Sequence, residues 1–125
     1  VPPGTLPNRI VVGENLVVGV GTQINKSATL GNDVTIGDHC IIDRAVEIGD
    51  GVLIGDRVVL GPGVVVESGV SIGDDTVVDR GAYLCAGVQV GTTVSIGKNA
   101  LIDGDVADNG LVEGSRKLSG TCPAP

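Results

Sequence analysis

A branched aliphatic residue stands at every sixth position over most of this chain, and this spacing constrains the fold more than any other feature. The residue two positions earlier is usually small or branched, as Val34 is before Ile36, and the next position is mostly Gly, Asp or Asn. Glu67 and Cys85 are the exceptions at that next position. The aliphatic series runs without a slip through Val12, Val18, Ile24, Leu30, Ile36, Ile42, Ile48, Ile54, Leu60, Val66, Ile72, Val78, Leu84, Val90, Ile96 and Ile102.

The spacing predicts short strands joined by sharp corners. Alternate residues of a strand point to the same side, so Val34 and Ile36 would face one way and Thr35 the other. The Gly, Asn or Asp that follows is expected to accept the unusual backbone angles of a corner. Three flat sides would close one turn in about 18 residues, and successive turns would pair in parallel about 4.8 Å apart, with the aliphatic side chains stacked inside.

Composition and charge exclude several other classes. A helix needs apolar residues at a period of about 3.6 and is destabilised by frequent glycine, whereas this chain has 21 glycines. It has one Tyr and no Phe, Trp or Met, so its core must come from Val, Ile and Leu. A net charge of −7 argues against general affinity for nucleic acid or anionic membranes. Because the chain begins with Val1, we expect a processed or excerpted protein, and the sequence leaves its compartment open.

Segments such as TLGNDVTIGDHCIIDRAVEIGDGVLIG resemble the hexapeptide-repeat superfamily. The resemblance implies an all-β, left-handed parallel β-helix of about five triangular coils over residues 10–106. Residues 1–9 would then cap the first coil, and residues 107–125 would form a C-terminal tail, because no aliphatic stands at Asp108. The superfamily includes trimeric acyltransferases, zinc carbonic anhydrases, carboxy-terminal domains of sugar nucleotidyltransferases and non-catalytic scaffold subunits, so the fold alone selects no function.

Outward-facing residues one coil apart form two apolar rows on different sides of the predicted prism. The first apolar row is Val65, Tyr83 and Leu101, and the second apolar row is Ile41, Val59 and Val77. Contiguous apolar patches usually mark contacts, and a cyclic trimer needs two different surfaces on each chain. We therefore expect a side-by-side homotrimer, with end-to-end stacking into a filament as the competing arrangement.

Charged residues follow the predicted corners in the same way. The basic column contains Lys26, Arg44, Arg80 and Lys98, and the acidic column contains Asp38, Asp56 and Asp74. Two interpretations stay open. The charges are solvated corner residues that contribute little, or the basic column faces the acidic column of a neighbour or binds an anionic ligand.

His39 is the only histidine and the weak candidate for a catalytic base, with Asp38 beside it to orient it. A single histidine cannot hold zinc tightly, so we expect no metal and no nucleotide cofactor. An unbroken frame without a catalytic cluster favours a non-catalytic structural module that associates with itself. The alternatives are a coenzyme A-dependent acyltransferase, which would use coenzyme A or an acyl thioester, and the β-helix domain of a sugar nucleotidyltransferase.

Overall fold

A computed structural model describes residues 11–114 as an all-β fold. Its 17 strands have two residues each, and no helix occurs in this part of the chain. The first sheet contains β1 (Val11–Val12), β4 (Thr29–Leu30), β7 (Glu47–Ile48), β10 (Val65–Val66), β13 (Tyr83–Leu84) and β16 (Leu101–Ile102). The second sheet contains β2 (Val17–Val18), β5 (Thr35–Ile36), β8 (Leu53–Ile54), β11 (Ser71–Ile72) and β14 (Gln89–Val90). The third sheet contains β3 (Gln23–Ile24), β6 (Ile41–Ile42), β9 (Val59–Leu60), β12 (Val77–Val78), β15 (Ser95–Ile96) and β17 (Leu111–Val112).

The three sheets form a parallel β-solenoid, which confirms the predicted fold class. Each strand pairs in parallel with the strand one coil away, as Val65 does with Glu47 and Tyr83. Sheets of six, five and six strands correspond to about six turns. The left-handed sense of the coil stays a prediction from the resemblance. We call the bend between the first and second sheets the first corner, that between the second and third sheets the second corner, and that between the third and first sheets the third corner.

The core consists of the predicted aliphatic ladders. From Val18 to Ile102 every residue of the six-residue series is buried, and so are the residues two positions before them from Thr22 to Ala100. Val12, at the start of the described residues, is 37% exposed because β1 pairs only with β4 among them. Burial of Val, Ile and Leu contributes about 1.5–3 kcal/mol for each side chain, which replaces the contribution that aromatic residues usually make.

Two buried threonines are satisfied within the coil. The Thr22 hydroxyl donates to the Gly37 carbonyl at 2.6 Å and accepts the Cys40 N–H at 3.0 Å. Thr76 makes the equivalent pair of bonds to Gly91 and Val94. These bonds let a polar residue stand in a core column without an unpaired group.

The corners differ from the sequence-based expectation in one respect. The residues with positive φ stand three positions after the aliphatic residue, as at His39, Ala45 and Gly51, and not directly after it. Glycine directly after the aliphatic has another cause, which is close approach. A Cβ on Gly37 would lie 2.2 Å from the Asp56 Oδ1 atom of the next coil. The predicted glycine positions are correct, but the reason is steric rather than conformational.

The solenoid continues beyond Asp108, where the six-residue series was expected to end. Val106 bridges Val90, and Leu111 and Val112 pair with Ser95 and Ile96, so partners here are 16 residues apart rather than 18. This coil is two residues shorter than the others, so the inward aliphatic residue stands at Val106 and not at position 108. The six-residue spacing then resumes, and the next inward aliphatic is Val112. Residues 1–9, proposed as a cap, and the tail from residue 115 onward lie outside the described residues. Within residues 11–114 no helix is long and apolar enough to cross a membrane.

Candidate functional site

A groove of about 390 Å³ lies on the first sheet, where the sheet meets the first corner. Val65, with the buried Ile48 and Val66, supplies its apolar lining, and Tyr83 and Glu47 stand one coil to either side of Val65. Its volume falls within the range of about 300–1,000 Å³ that is usual for small-molecule pockets. The lining residues are Thr29, Glu47, Ile48, Gly49, Val65, Val66, Glu67, Ser68, Tyr83 and Ala86.

The groove coincides with an interruption in the side-chain ladder of the first corner. In the earlier coils each corner side chain accepts a backbone N–H from the coil before it, as Asp50 does from Asn32 at 2.8 Å and Ser68 does from Asp50 at 3.2 Å. The Ala86 side chain has no acceptor and ends this ladder. Glu67 instead extends from the preceding coil and accepts the Ala86 N–H at 3.0 Å.

Glu67 also binds the only aromatic residue of the chain. The Tyr83 hydroxyl donates a short hydrogen bond to Glu67 Oε2. This hydrogen bond to the carboxylate, with burial and the negative charges of Glu67 and Glu47, raises the pKa of Tyr83 above its ordinary value. Both oxygens of Glu67 are therefore held by donors, and its carboxylate has a fixed orientation at the edge of the groove.

The groove carries negative charge. Glu47 is exposed and Glu67 is half-buried, while Thr29, Ser68 and Tyr83 add neutral hydroxyls. None of its lining residues is basic. The site therefore offers carboxylate and hydroxyl oxygens above an aliphatic floor, which is unsuited to an anionic group and suited to a cationic or neutral one.

His39 lies at the second corner, away from the groove of its own chain. Its backbone is left-handed, with φ of 57°, its N–H donates to the Val20 carbonyl at 2.9 Å, and its imidazole lies over Gly21. The neighbouring Asp38 carboxylate accepts the Val20 N–H at 2.8 Å. Asp38 is thus used for the corner ladder, while His39 is exposed.

The two apolar rows lie on the first and third sheets with the expected registers. Val65 pairs with Tyr83 and Tyr83 with Leu101, and all three are half-buried. On the third sheet Ile41 and Val77 are 45% and 46% exposed on either side of the half-buried Val59.

The charged columns lie on different corners. The acidic column occupies the second corner, where each carboxylate accepts a backbone N–H from the coil before it at 2.8 Å. Beside it Arg57 forms a two-point ion pair with Asp75, with Nε to Oδ1 at 2.6 Å, and this hydrogen bond lowers the pKa of Asp75. The basic column occupies the third corner, and Lys26, Arg44, Arg80 and Lys98 are all exposed.

The sequence-based reasoning missed the groove. Tyr83 was selected only as an interface residue, and Glu47 and Glu67 were not selected as site residues. The available signal was Glu67, one of two residues that break the Gly, Asp or Asn pattern after the aliphatic. Within residues 11–114 no group of three or more His, Cys, Asp and Glu side chains is placed to hold a metal.

Comparison with protein families identifies the repeat. A family model described as bacterial transferase hexapeptide (six repeats) matches residues 33–68 and 45–79. A comparison with curated protein sequences gave no match.

Solved structures with this fold include acetyltransferases. A histidine-substituted variant of perosamine N-acetyltransferase from Caulobacter crescentus, in complex with CoA and GDP-perosamine, is 26% identical with a TM-score of 0.83. The match covers 86% of this chain and 51% of that one. The acetyltransferase domain of PglB from Neisseria gonorrhoeae FA1090 is 23% identical with a TM-score of 0.83, over 86% of this chain and 52% of that one. This chain therefore spans about half the length of either protein.

These similarities overturn the leading functional hypothesis. The expectation of a non-catalytic structural module is wrong, because the similar structures are acetyltransferases and the matching family model is a transferase model. The unbroken frame misled the interpretation, because a frame without an inserted loop does not exclude a groove such as the one beside Glu67 and Tyr83.

Proposed function

We propose that this chain, whose repeat matches the bacterial transferase hexapeptide model, supplies the β-helix of a coenzyme A-dependent acyltransferase. The observation that carries the proposal is the similarity to perosamine N-acetyltransferase, with a TM-score of 0.83 and 26% identity over 86% of this chain. That protein was crystallised with CoA. The groove beside Tyr83 adds a local feature on which a substrate could lie.

The phosphates of coenzyme A suit some parts of the described surface better than others. These phosphates carry negative charge, so the groove with Glu47 and Glu67 does not suit them. The exposed basic column at the third corner does, because Lys and Arg side chains bind phosphate oxygens well. When bound, the thioester supplies an activated acyl carbonyl. We assign the acceptor to the groove.

Acyl transfer also needs a group that removes a proton from the acceptor as it attacks the thioester carbonyl. A histidine is the usual base because its ordinary pKa lies near neutrality. His39 is the only histidine, but it lies on a different corner from the groove. If copies of the chain associate side by side, the His39 of one copy can lie near the groove of its neighbour.

We propose that three copies associate through the two apolar rows, with the first sheet of one copy against the third sheet of the next. Because the three copies are related by rotation about a common axis, equivalent coils lie at the same height along that axis. The third corner, shared by the two contacting sheets, then points to the axis. On the outer side, the second corner of one copy meets the first corner of the next. Because β6 directly precedes β7, His39 of one copy would lie level with Glu47 of its neighbour.

Release of free thiol from acetyl-CoA, measured with a panel of primary amines and alcohols, tests the proposed activity. We expect release that depends on an acceptor and that falls about 100-fold or more in His39→Ala. Thr93→Ala is the matched control, since Thr93 stands in the same corner column with φ of 55° and should leave the rate unchanged. Equal rates in His39→Ala and the wild type would exclude His39 as the base.

A further inference from the structure

We propose that the groove on the first sheet binds a small organic cation, a protonated amine whose body lies on Val65 and whose charge lies between Glu47 and Glu67. This ligand class follows from the side chains of the groove, and its binding does not depend on acyl transfer. Three observations support it, namely shape, charge and the single aromatic ring.

The shape comes from local departures from the repeat. Small Ala86 stands where earlier coils have Asn32, Asp50 and Ser68, and Glu67 stands where they have Gly13, Gly31 and Gly49. One change removes a side chain from the corner and the other adds one, which leaves a hollow bordered by a carboxylate. Departures from local sequence rules that offer no gain in stability are typical of functional sites.

The charge is placed on two sides of the apolar floor. Glu47 pairs with Val65 from one coil away, and Glu67 follows Val65 by two residues in the same coil. Glu67 is fixed by Tyr83 and Ala86, while Glu47 is exposed and can adjust to a ligand. An ammonium group between them would gain two charge-assisted hydrogen bonds, which are stronger than neutral ones.

The ring of Tyr83 borders the same space. Its hydroxyl is held by Glu67, so the side chain has a fixed position. A cation within about 6 Å of an aromatic ring is attracted by the electron density of the ring face. A neutral molecule of the same shape would keep the contact with Val65 and lose both electrostatic contributions. In a side-by-side trimer Val65 and Tyr83 would also contact the third sheet of a neighbour, and the ligand would lie at the outer edge of that contact, beside Glu47 and Glu67.

Tyr83 reports on the groove, because the chain has no other tyrosine and no Trp or Phe. The experiment titrates the full chain with cyclohexylamine, and separately with cyclohexanol and cyclohexanecarboxylate, and follows tyrosine fluorescence. We expect saturable binding of cyclohexylamine, at least about tenfold weaker binding of cyclohexanol, and weakening by added salt. Equal binding of amine and alcohol, stronger binding of the carboxylate, or no response to any probe would overturn the proposal.

Two variants test whether cyclohexylamine binds because of the groove or because of the general negative charge of the protein. Glu47→Gln should weaken cyclohexylamine binding about fivefold, within the range for partly exposed ion pairs. Glu14→Gln is the matched control, because Glu14 carries the same charge at the first corner but lies outside the lining of the groove, and it should leave the affinity unchanged. An equal loss of affinity in the two variants would show that net charge, and not the groove, attracts the amine. Circular dichroism of both variants checks that the solenoid is intact.

Discussion

The carboxylate of Asp56 lies directly over Gly37 of the preceding coil, and its Oδ1 atom accepts the Asp38 N–H at 2.8 Å. A Cβ at position 37 would come 2.2 Å from that oxygen and 2.6 Å from the Gly55 carbonyl oxygen. The absence of a side chain at Gly37 therefore makes room for the acceptor that satisfies the next backbone N–H. This relationship explains why glycine and aspartate follow each other at the corners.

Gly37→Ala should consequently destabilise the solenoid by about 2 kcal/mol or more, because the obstruction includes backbone that cannot move aside. Chemical denaturation measures the loss. Gly51→Ala is the control, since a Cβ there meets nothing within 4 Å and only the positive φ of 69° opposes it. That variant should lose about 1 kcal/mol. Equal losses in the two variants would contradict the steric explanation.

The ionisation of Tyr83 should depend on Glu67. Ultraviolet absorbance of the single tyrosine should show a midpoint above the ordinary value, and Glu67→Gln should lower this midpoint more than Glu47→Gln does. A tyrosine whose pKa is raised by folding adds stability below its ordinary pKa, and this contribution is lost as pH rises through the raised value. The stability of the wild type should therefore fall more steeply in strong base than that of Tyr83→Phe. Identical slopes would mean that the hydrogen bond is absent in solution.

The sequence predicted the solenoid well because its determinants are local and periodic. Each aliphatic such as Ile36 or Leu60 specifies one inward position, and the spacing of six fixes the strand registers as far as Ile102. The continuation beyond Val106, through Val112, was not predicted because a deletion of two residues moves the aliphatic away from its expected position. Strict counting cannot follow such a shift, whereas backbone pairing shows it directly.

The candidate site was harder to predict because it depends on side chains from successive coils. Glu67 and Tyr83 are 16 residues apart, and their contact follows from the direction of two long side chains, which the repeat does not specify. His39 was identified from its residue type alone. Its relation to the groove involves a second copy and is therefore a proposal about the assembly, not a property of one chain.

Association through the apolar rows should be sensitive to the third sheet. Val77→Glu places a charge in the second apolar row and should convert the proposed trimer into monomers, as measured by light scattering. Leu53→Glu is the matched control, because Leu53 is 53% exposed on the second sheet, outside both rows. A monomeric wild type, long filaments, or dissociation by both substitutions would contradict the side-by-side arrangement.

Salt should strengthen this association. In the proposed trimer the basic columns of three copies approach one another around the axis, and their repulsion is screened as ionic strength rises. Sedimentation at low and high salt should show tighter trimers at high salt, and Arg44→Gln should reduce the difference. Weaker association at high salt would instead indicate that the basic column faces carboxylates of a neighbour.

Activity in mixed trimers tests the account most directly. His39→Ala and Glu67→Gln should each release little thiol from acetyl-CoA alone, because the first lacks the proposed base and the second lacks the carboxylate that would hold the acceptor in the neighbour's groove. After the two variants are unfolded together and refolded as a mixture, random assembly should give one interface in about four with both native side chains, and about a quarter of the wild-type rate. A mixture no more active than the separate variants would contradict a catalytic site shared between neighbouring copies.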